Sequence, residues 1–593
     1  MSAPPDTIIQ LGGSFLIEHL SASEIFTPED FSEEHHQIQT TTSRFLEEEV
    51  LPRVEHLENK EHGLSRYLIE QASALGLCSI LVPERCGGLE MDFTSQLIVA
   101  EQMGRYASFS TTYGAHAGIG LLPLVFFGDQ KQQQHYIPKL ISGEWIAAYC
   151  LSEAHSGSDA LAARTHATLS SNGKHYVLNG EKMWISNGGW ADLYTIFAKV
   201  NGEHLTAFLV ERTLEGVKPG SEERKMGIRG SSTTPVVLEN VHVPTENVLG
   251  EIGRGHVIAF NILNIGRIKL CASCVGGAKD VLSETIRYAK QRKAFGKVIA
   301  QFGLIQHKIA EMAIRIFVTE SMVYRISGMI DQNLSEVSWE NDGSQEHILG
   351  AIEERAIECA IAKVYGSETL DYVVDEGVQI HGGYGFHQDY MVERAYRDAR
   401  INRIYEGTSE INRLLVTGML LKRASQGRLK LPHAISKLHS EIEESDIVDD
   451  AGDGLLAAER QYIQQIKKVA LLTLGVAHRH FGDKIKDEQE VVAAISDLLI
   501  TIYGSESALL RAEKLNTYSK SEQATEMVRV LVSSLIPQVH ACTSGILMAC
   551  DDESSLQEKM GILRSLTDFT PRNSIILRRS ISQRLLQSER FAL

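Results

Sequence analysis

Positively charged residues are missing from the start of this chain, because no Lys or Arg precedes Arg44. A secretory signal needs a basic segment before its apolar core, and a mitochondrial transit peptide is rich in Arg, so the absence argues against both. No uninterrupted apolar run reaches the roughly 18 residues that a membrane-spanning helix needs. We therefore expect a cytoplasmic protein of bacterial type, or one that is already processed.

Cysteine is also sparse, with eight residues in a chain of 593. One CxxC pair, Cys271 and Cys274, lies in an apolar run of helical character, and no second pair accompanies it. This pattern fits neither a disulfide framework nor a zinc site, so we expect reduced thiols in the core and no metal. The net charge of −18 argues against nucleic-acid binding as the main function.

The hydrophobic period changes along the chain. Apolar residues recur at helical spacing in the first quarter, turn to short runs broken by turn residues, and then return to helical spacing. We predict five segments: an N-terminal extension (1–30), a helical domain (31–146), a β domain (147–257), a helical bundle (258–424) and an extra helical C-terminal domain (425–593).

Two local signals refine this division. The Asn179-Gly180 pair within YVLNGEKMWIS is a hairpin signal. The stretch EIEESDIVDDAGD, which begins at Glu441, is strongly acidic and is typical of a solvated linker or loop.

Eight short motifs occur in order along the chain: YCLSEAHSGSD, KMWISNGG, NVLGE, NIGR, QRKAFGK, FGLIQ, QIHGGYGF and IYEGTSEI. With the order helix, β, helix, they make the chain resemble the acyl-CoA dehydrogenases, and within them the very-long-chain branch. The resemblance covers about residues 35 to 424 and, more loosely, the remainder. It implies an α+β, mainly α fold, in which an N-terminal helical domain, a middle β-barrel domain and a four-helix bundle precede an extra helical domain.

The resemblance implies FAD as the cofactor. A flavin ring needs a dry platform with hydrogen-bond donors, and the WIS triplet offers an aromatic face, backbone donors and a hydroxyl. The alternative for Trp184 is a strand core residue. Carried over position by position, the family's cofactor contacts fall on Tyr149, Cys150, Leu151, Ser152, Gly157, Ser158, Trp184, Ile185, Ser186, Arg292, Phe295, Gln379, Gly382, Gly383, Thr408, Ser409 and Glu410.

Two features qualify this assignment. The first motif has Ala154 and His155 where the family usually has Pro-Gly or Pro-Ser, so His155 carries no assigned role. In the family, the QIHGGYGF loop reaches the ADP half of the cofactor across a subunit boundary, which implies a homodimer or homotetramer. A surface Arg at Arg292 and an ordinary loop glycine cluster are the plain alternatives.

Glu406 stands in INRIYEGTSEINR, after an apolar-aromatic run and before Gly407. Such a Glu is often a solvated loop residue. Abstraction of an α-proton from an acyl thioester, however, needs a desolvated carboxylate whose pKa is raised toward the working pH. The resemblance makes Glu406 this base. A minority of the family places the base immediately before the Arg of the NIGR motif, where this chain has Gly266.

The remaining site residues also follow from the resemblance. The developing enolate oxygen would be stabilised by the backbone N–H of Glu406 and a ribityl hydroxyl of the flavin. Contacts with the acyl-CoA fall on Ser158, Asn264, Arg267 and Gly407. The glycines of YGAHAGIG (113–120) lie where the family's acyl tail ends and would leave room for long chains, unless they serve close helix packing.

The last segment, RNSIILRRSISQRLLQSERFAL, holds five Arg against one acidic residue. Such a basic patch beside Ile and Leu could contact an anionic membrane surface or pack on a partner subunit. Three functions are compatible with these features: an acyl-CoA dehydrogenase of fatty acid β-oxidation that passes electrons to an electron-transferring flavoprotein, an acyl-CoA oxidase, and an assembly role with little turnover. The C-terminal FAL, which is not a peroxisomal signal, and the dehydrogenase-type IYEGTSEI favour the first over the oxidase.

Overall fold

In this computed structural model of the chain, residues 10–335, 337, 344–444, 454–517, 522–550 and 553–593 are described. The elements follow the order helices, sheet, helices, with further helices after the bundle. The α+β, mainly helical fold class is confirmed.

The first helical region supplies one wall of the site described below. Its helices begin at polar caps: Ser32 accepts a hydrogen bond from the His35 N–H at 3.2 Å, and Asp92 accepts one from the Ser95 N–H at 2.8 Å. Residues Gly114–Gly120 form a wider, π-helical turn between two of these helices. The helices are α1 (Glu33–Phe45), α2 (Val54–Glu58), α3 (Leu64–Ala74), α4 (Phe93–Met103), α5 (Ala107–Tyr113), α6 (Leu122–Phe127) and α7 (Gln130–Ile141).

The middle region is an eight-stranded sheet. Seven strands follow the order β6-β7-β3-β2-β4-β5-β8, and β1 pairs in parallel with β4. Its strands are β1 (Ala147–Cys150), β2 (His166–Leu169), β3 (His175–Ser186), β4 (Leu193–Val200), β5 (His204–Glu211), β6 (Val217–Pro219), β7 (Thr233–Pro244) and β8 (Val248–Leu249). A separate two-stranded ribbon is formed by β9 (Lys293–Ala294) and β10 (Lys297–Val298).

The hairpin prediction at Asn179-Gly180 is wrong. Strand β3 continues through both residues and pairs with β7, with a register shift between Leu178 and Gly180. A Cβ at Gly180 would lie 2.5 Å from Thr165 Oγ1. Gly180 therefore allows a β-bulge and a close contact with Thr165. The sequence pair Asn-Gly occurs in bulges as well as in hairpin turns, so it does not distinguish between them.

The helical bundle follows the sheet, and its longest helix, α8, lies against both α4 and α11. Because α8 contacts the first helical region and the bundle at once, its residues face the space between them. The bundle helices are α8 (Gly255–Gln291), α9 (Gly303–Leu334), α10 (Ser344–Glu354), α11 (Ala356–His381), α12 (Met391–Ala399) and α13 (Ser409–Ser425).

The extra helical domain packs on the bundle through buried charges as well as apolar side chains. Arg325 of α9 donates to Glu506 at 3.0 Å, and both side chains are almost fully buried. Arg511 likewise bonds Glu320 at 2.5 Å. Removing one partner of such a buried pair destabilises strongly. The helices are α14 (Leu431–Glu443), α15 (Ala457–Phe481), α16 (Gln489–Thr517), α17 (Glu522–Cys550), α18 (Glu553–Leu566) and α19 (Ser574–Ser588).

The segment from residue 10 to residue 30 joins the bundle to the extra domain. The N–H of Gly13 donates to Glu358 at 2.7 Å, and Lys467 donates to the Glu18 carbonyl at 2.9 Å. Part of the acidic linker prediction is wrong, since Glu441–Glu443 are the last residues of α14. Residues 445–453 of that stretch lie outside the described residues.

Among the residues that the structure describes, three helices, α8, α16 and α17, are long and apolar enough to cross a membrane by length and composition alone. The search for uninterrupted apolar runs missed them because a few polar residues break each helix. Their most apolar stretches are 67%, 83% and 39% buried inside the structure, respectively.

Candidate active site

The turn that carries Glu406 is built to aim its side chain at α8. Both Glu406 and Gly407 have left-handed backbones, with φ of 57° and 80°. A non-glycine residue adopts this conformation at a cost in free energy, so the surrounding contacts have to hold it. Asn412 does so by donating to the Gly407 and Thr408 carbonyls at 2.8 and 3.0 Å. Thr408 caps α13 by accepting a hydrogen bond from Ile411 N–H at 3.2 Å.

Gly266 lies directly opposite the Glu406 carboxylate. A Cβ at Gly266 would be 2.4 Å from Glu406 Oε2, so only glycine leaves that oxygen its position. The next residue, Arg267, donates from Nε to the Glu406 carbonyl at 3.2 Å and from Nη1 to Asn264 Oδ1 at 2.7 Å. Arg267 and Asn264 thus lie beside Glu406, and their predicted contact with CoA stays a prediction.

The electrostatic environment of Glu406 suits a base at neutral pH. Its Oε2 atom is shielded from solvent and has no hydrogen-bond partner in the described chain. Burial raises the pKa of Glu406 to about 7, although the positive charges of Arg267, Lys363 and Lys269 act in the opposite direction. The carboxylate therefore changes its charge near the pH at which a general base works best.

Glu406 opens onto a cavity of about 140 Å³ between α4, α5, α8 and the Gly114–Gly120 turn. Apolar and small residues form most of its lining, which suits a hydrocarbon chain. Besides Glu406 and Gly266, the lining includes Ala100, Met103, Gly114, Gly118, Ile119, Leu122, Ser186, Ile262, Lys269, Leu270 and Ser273.

The glycines of the 113–120 segment have three different environments. A Cβ at Gly114 would meet no atom within 4 Å, whereas one at Gly120 would lie 2.4 Å from the Ala115 carbonyl oxygen. A Cβ at Gly118 would be 2.9 Å from Lys269 Nζ. The expected extra room is therefore present at Gly114, whereas Gly120 serves close packing. The space beside Gly118 is occupied by the Lys269 ammonium group.

Two predicted cofactor loops are tied together at one end of the sheet. The N–H of Met183, beside Trp184, donates to the Ser152 carbonyl at 2.9 Å. The fully buried Lys182 donates to Glu153 at 2.7 Å and to the Leu151 carbonyl at 3.2 Å. Lys182 and Glu153 therefore hold the first motif in place.

The predicted cofactor residues at these loops differ in exposure. Trp184 is 60% exposed at a left-handed backbone (φ 57°), so the alternative of a strand core residue does not hold. Tyr149 Oη is buried without a hydrogen-bond partner in the described part of the chain. Of the others in these two loops, Cys150, Leu151 and Ile185 are buried, Ser152 and Ser186 are half-buried, and Gly157 and Ser158 are exposed.

The QRKAFGK and QIHGGYGF motifs meet at one end of the bundle. The Arg292 guanidinium lies 5.3 Å from the centre of the Tyr384 ring, and the Tyr288 and His381 rings stack at 4.0 Å. Five predicted cofactor residues at this end are exposed: Arg292, Phe295, Gln379, Gly382 and Gly383. Near Glu406, Thr408 is half-buried, Ser409 is buried and Glu410 is exposed.

The motif analysis missed four charged residues of the site: Lys182, Glu153, Lys269 and Lys363. A sequence signal existed for Lys269, which interrupts the apolar run of α8 three residues after Gly266. It also existed for Lys363, within the apolar run AIAKV. Buried lysines are rare without a partner or a function, so both positions could have been selected.

Comparison with known proteins agrees with this geometry. Acyl-CoA dehydrogenase models match in order: the N-terminal domain at residues 32–144, the middle domain at 148–241, and C-terminal domains at 253–421 and 465–565. A probable acyl-CoA dehydrogenase of Bacillus subtilis is 46% identical over 98% of this chain and 98% of its own length. The chain belongs to the acyl-CoA dehydrogenase family.

Two further relatives locate this acyl-CoA dehydrogenase within its family. The very long-chain specific acyl-CoA dehydrogenase from Bos taurus mitochondria is 41% identical over 63% of this chain and 57% of the relative. The crystal structure of an acyl-CoA dehydrogenase complexed with FAD from Bacillus anthracis has a TM-score of 0.96 and 44% identity, and covers 98% of this chain and 100% of that one. The predicted family and its very-long-chain-like branch are confirmed.

Proposed function

We propose that this protein is an FAD-dependent acyl-CoA dehydrogenase in which Glu406 removes the α-proton of an acyl-CoA, which becomes a trans-2-enoyl-CoA. One observation carries the proposal: Glu406 is the only carboxylate among the described residues that line the cavity, and its Oε2 atom is buried without a partner. A buried carboxylate oxygen without a hydrogen-bond partner costs folding free energy, which a catalytic role explains.

The residues present fit FAD. An exposed indole at Trp184 and a buried, unpartnered hydroxyl at Tyr149 suit contact with a large aromatic ring that also accepts hydrogen bonds. The similar Bacillus anthracis enzyme is complexed with FAD. Trp184, Ile185 and Ser186 would hold the ring, and Arg292 would hold the pyrophosphate. When bound, FAD supplies the two-electron acceptor of the reaction.

The protein's own groups then have defined tasks. Glu406 accepts the α-proton, and its position opposite Gly266 leaves the carboxylate free to approach the α-carbon. The Glu406 N–H makes no hydrogen bond to any described residue, so it is available to the thioester oxygen as negative charge develops there. Arg267 and Asn412 keep the turn in its strained conformation.

Long-chain acyl-CoA is the substrate class that we infer, with an electron-transferring flavoprotein as the electron acceptor and fatty acid β-oxidation in the cytoplasm as the setting. The open wall at Gly114 and the similarity to very long-chain specific enzymes support the chain length. An oxidase would use the same base, but it would pass its electrons to oxygen.

Anaerobic titration of the purified yellow protein with acyl-CoAs from C4 to C20 tests the proposal. We expect the flavin absorbance to bleach, most readily with long chains, and to recover with an electron-transferring flavoprotein far faster than with oxygen. Fast recovery in oxygen would favour the oxidase. A flavin that no acyl-CoA bleaches would favour an assembly role.

The rate of flavin reduction should depend on pH through Glu406. Because burial raises the pKa of Glu406 to about 7, the carboxylate is mostly ionised at pH 8 and mostly protonated at pH 6. Only the ionised form accepts a proton, so kcat/KM should be level above pH 8 and fall about tenfold per pH unit well below pH 7. Stopped-flow reduction between pH 5.5 and 9 measures this, and a level profile down to pH 5.5 would contradict it.

A homodimer or homotetramer is part of the proposal. Phe295 and Phe386 are 95% and 87% exposed in the single chain, and they flank the predicted cofactor loops at the end of the bundle. Large apolar side chains at that exposure are stabilised when another subunit covers them.

Peripheral membrane contact through the C-terminal domain is also proposed. Ile575 and Ile576 of α19 are 63% and 61% exposed, whereas three of the five nearby Arg residues already pair with Glu within the chain. The isoleucines, more than the charges, would therefore enter an anionic membrane surface.

The double variant Ile575→Ser/Ile576→Ser should lower co-sedimentation with anionic vesicles severalfold, because it removes apolar area that the membrane would bury. Ile252→Ser is the matched control, since Ile252 is 50% exposed in the connection between β8 and α8. Equal sedimentation of all three proteins would speak against membrane contact and for packing on a partner subunit.

A further inference from the structure

Lys269 lines the same cavity as Glu406. It lies on α8 one helical turn after Gly266 and is 8% exposed. Its Nζ atom has no hydrogen-bond partner in the part of the chain that the structure describes. The Tyr113 ring centre is 6.0 Å away, and the surface of Gly118 faces the same nitrogen. A buried ammonium group thus forms part of the wall of a mostly apolar cavity.

The groups around Lys269 provide little negative charge. The Cys78 thiol is buried, which raises its pKa to about 12, so it is neutral. The Tyr113 hydroxyl donates to the Leu77 carbonyl and is also neutral. Within the described part of the chain, Glu406 is the only carboxylate acting on Lys269, and Arg267 and Lys363 also act on this carboxylate. Glu368 also acts on Lys363, but among the described residues Arg267 and Lys269 have only the Glu406 carboxylate between them, so an added anion beside Lys269 would be stabilised.

An apolar acyl chain would leave this ammonium group unsatisfied. While the cavity contains water, water oxygens can accept hydrogen bonds from Lys269. A hydrocarbon chain that displaces the water offers no acceptor, and an unpaired charge in an apolar site costs free energy. A site built around a charged donor rejects ligands that lack the matching acceptor far more strongly than it rejects a change in length.

We propose that Lys269 is a specificity-determining residue that binds a carboxylate at the far end of the acyl chain, so that the preferred substrates are monothioesters of dicarboxylic acids. This inference rests on the proposed function, since it assumes that the cavity receives the acyl group. It refines the chain-length proposal by stating what the far end of the chain carries.

The position of Lys269 determines where that carboxylate lies. Three residues of helix separate Lys269 from Gly266, which is about 4.5 Å along the axis, and the lysine side chain extends further. The carboxylate therefore lies past the β-carbon, on the stretch of cavity between Gly266 and Ser273. Acyl chains of several lengths have to be compared, because only chains of one length range place their terminal carboxylate within reach of Lys269.

The test compares ω-carboxyacyl-CoAs with plain acyl-CoAs of equal carbon number from C6 to C16. Wild type, Lys269→Met and Leu270→Met are measured. Methionine has nearly the length of lysine without its charge, and Leu270 is the neighbouring cavity residue, so the second variant controls for a change of shape alone. Stopped-flow gives kcat/KM for flavin reduction, and calorimetry gives Kd for the corresponding 2-enoyl-CoAs, which bind without reacting.

At its best length, the wild type should prefer the ω-carboxy compound at least tenfold in both measurements. Lys269→Met should lose that preference and bind plain chains as well as or better than wild type, while Leu270→Met keeps it. The proposal would be overturned if, at every chain length, the wild type acts on the ω-carboxy compound no better than on the plain acyl-CoA of equal carbon number. An equal loss on both substrate series in Lys269→Met would also overturn it, because Lys269 would then act on Glu406 and not on the substrate.

An ω-hydroxyacyl-CoA series separates charge from simple hydrogen bonding. A preference for the hydroxyl compounds that equals or exceeds the preference for the carboxylates would overturn the assignment to a dicarboxylate. If no acyl-CoA of any kind reduces the flavin, the proposed function fails. The Kd values of the ω-carboxy and plain 2-enoyl-CoAs, compared by calorimetry, still decide the role of Lys269.

Discussion

Glu406→Gln should abolish reduction of the flavin by acyl-CoA while FAD and acyl-CoA remain bound. Glutamine keeps the size and hydrogen-bonding capacity of the side chain but cannot accept a proton at neutral pH. A general base contributes about 10² to 10⁴ in rate. We expect the loss to reach or exceed the upper end of that range, because no second carboxylate lines the described cavity.

Stopped-flow bleaching of the flavin with a C16 acyl-CoA measures this loss, and FAD content with acyl-CoA binding shows that the site is intact. Glu203→Gln is the matched control, because Glu203 is an exposed residue between β4 and β5. A Glu406→Gln variant that binds FAD normally and bleaches within about tenfold of wild type would show that another group is the base.

Gly266→Ala should slow flavin reduction by about a hundredfold without unfolding the protein. The added Cβ would lie 2.4 Å from Glu406 Oε2, and the carboxylate, as the end of a flexible side chain, can move away. Displacing a catalytic group by about 1 Å can cost about 10² in rate. Alanine favours the helix over glycine by up to about 1 kcal/mol, so the Tm should stay level or rise.

Gly418→Ala is the matched control for this variant. Gly418 lies within α13, and a Cβ there would meet nothing within 4 Å. This control should gain helix stability and keep the wild-type rate of flavin reduction. A Gly266→Ala variant that reduces its flavin at the wild-type rate would mean that the carboxylate does not act from the position seen here.

The short distance between Gly266 and the Glu406 carboxylate also determines the design of a complementary experiment. A Gln at position 406 would still occupy the space opposite Gly266, so a second carboxylate cannot be added in that background. Glu406→Gly combined with Gly266→Glu avoids the collision. Partial recovery of flavin reduction over Glu406→Gly alone would show that both positions face the same α-carbon.

Local patterns in the chain were sufficient for the fold class and the family. A change of hydrophobic period is visible within any window of some fifteen residues, and the motifs are contiguous peptides. Both patterns can be recognised without knowledge of the fold. The same short range explains the error at Asn179-Gly180, because a bulge and a hairpin use the same two residues, and the partner strand decides between them.

What the patterns could not supply were contacts between residues distant in sequence. Arg267 and Glu406 are 139 positions apart, yet one hydrogen bond joins them, and the empty space at Gly266 matters only because Glu406 faces it. Lys269 could be recognised from the chain as an odd lysine in an apolar helix. That its ammonium group lines the cavity beside Glu406 depends on how α8 packs against α4 and the Gly114–Gly120 turn, because side-chain burial is a property of the assembled fold and not of any single segment.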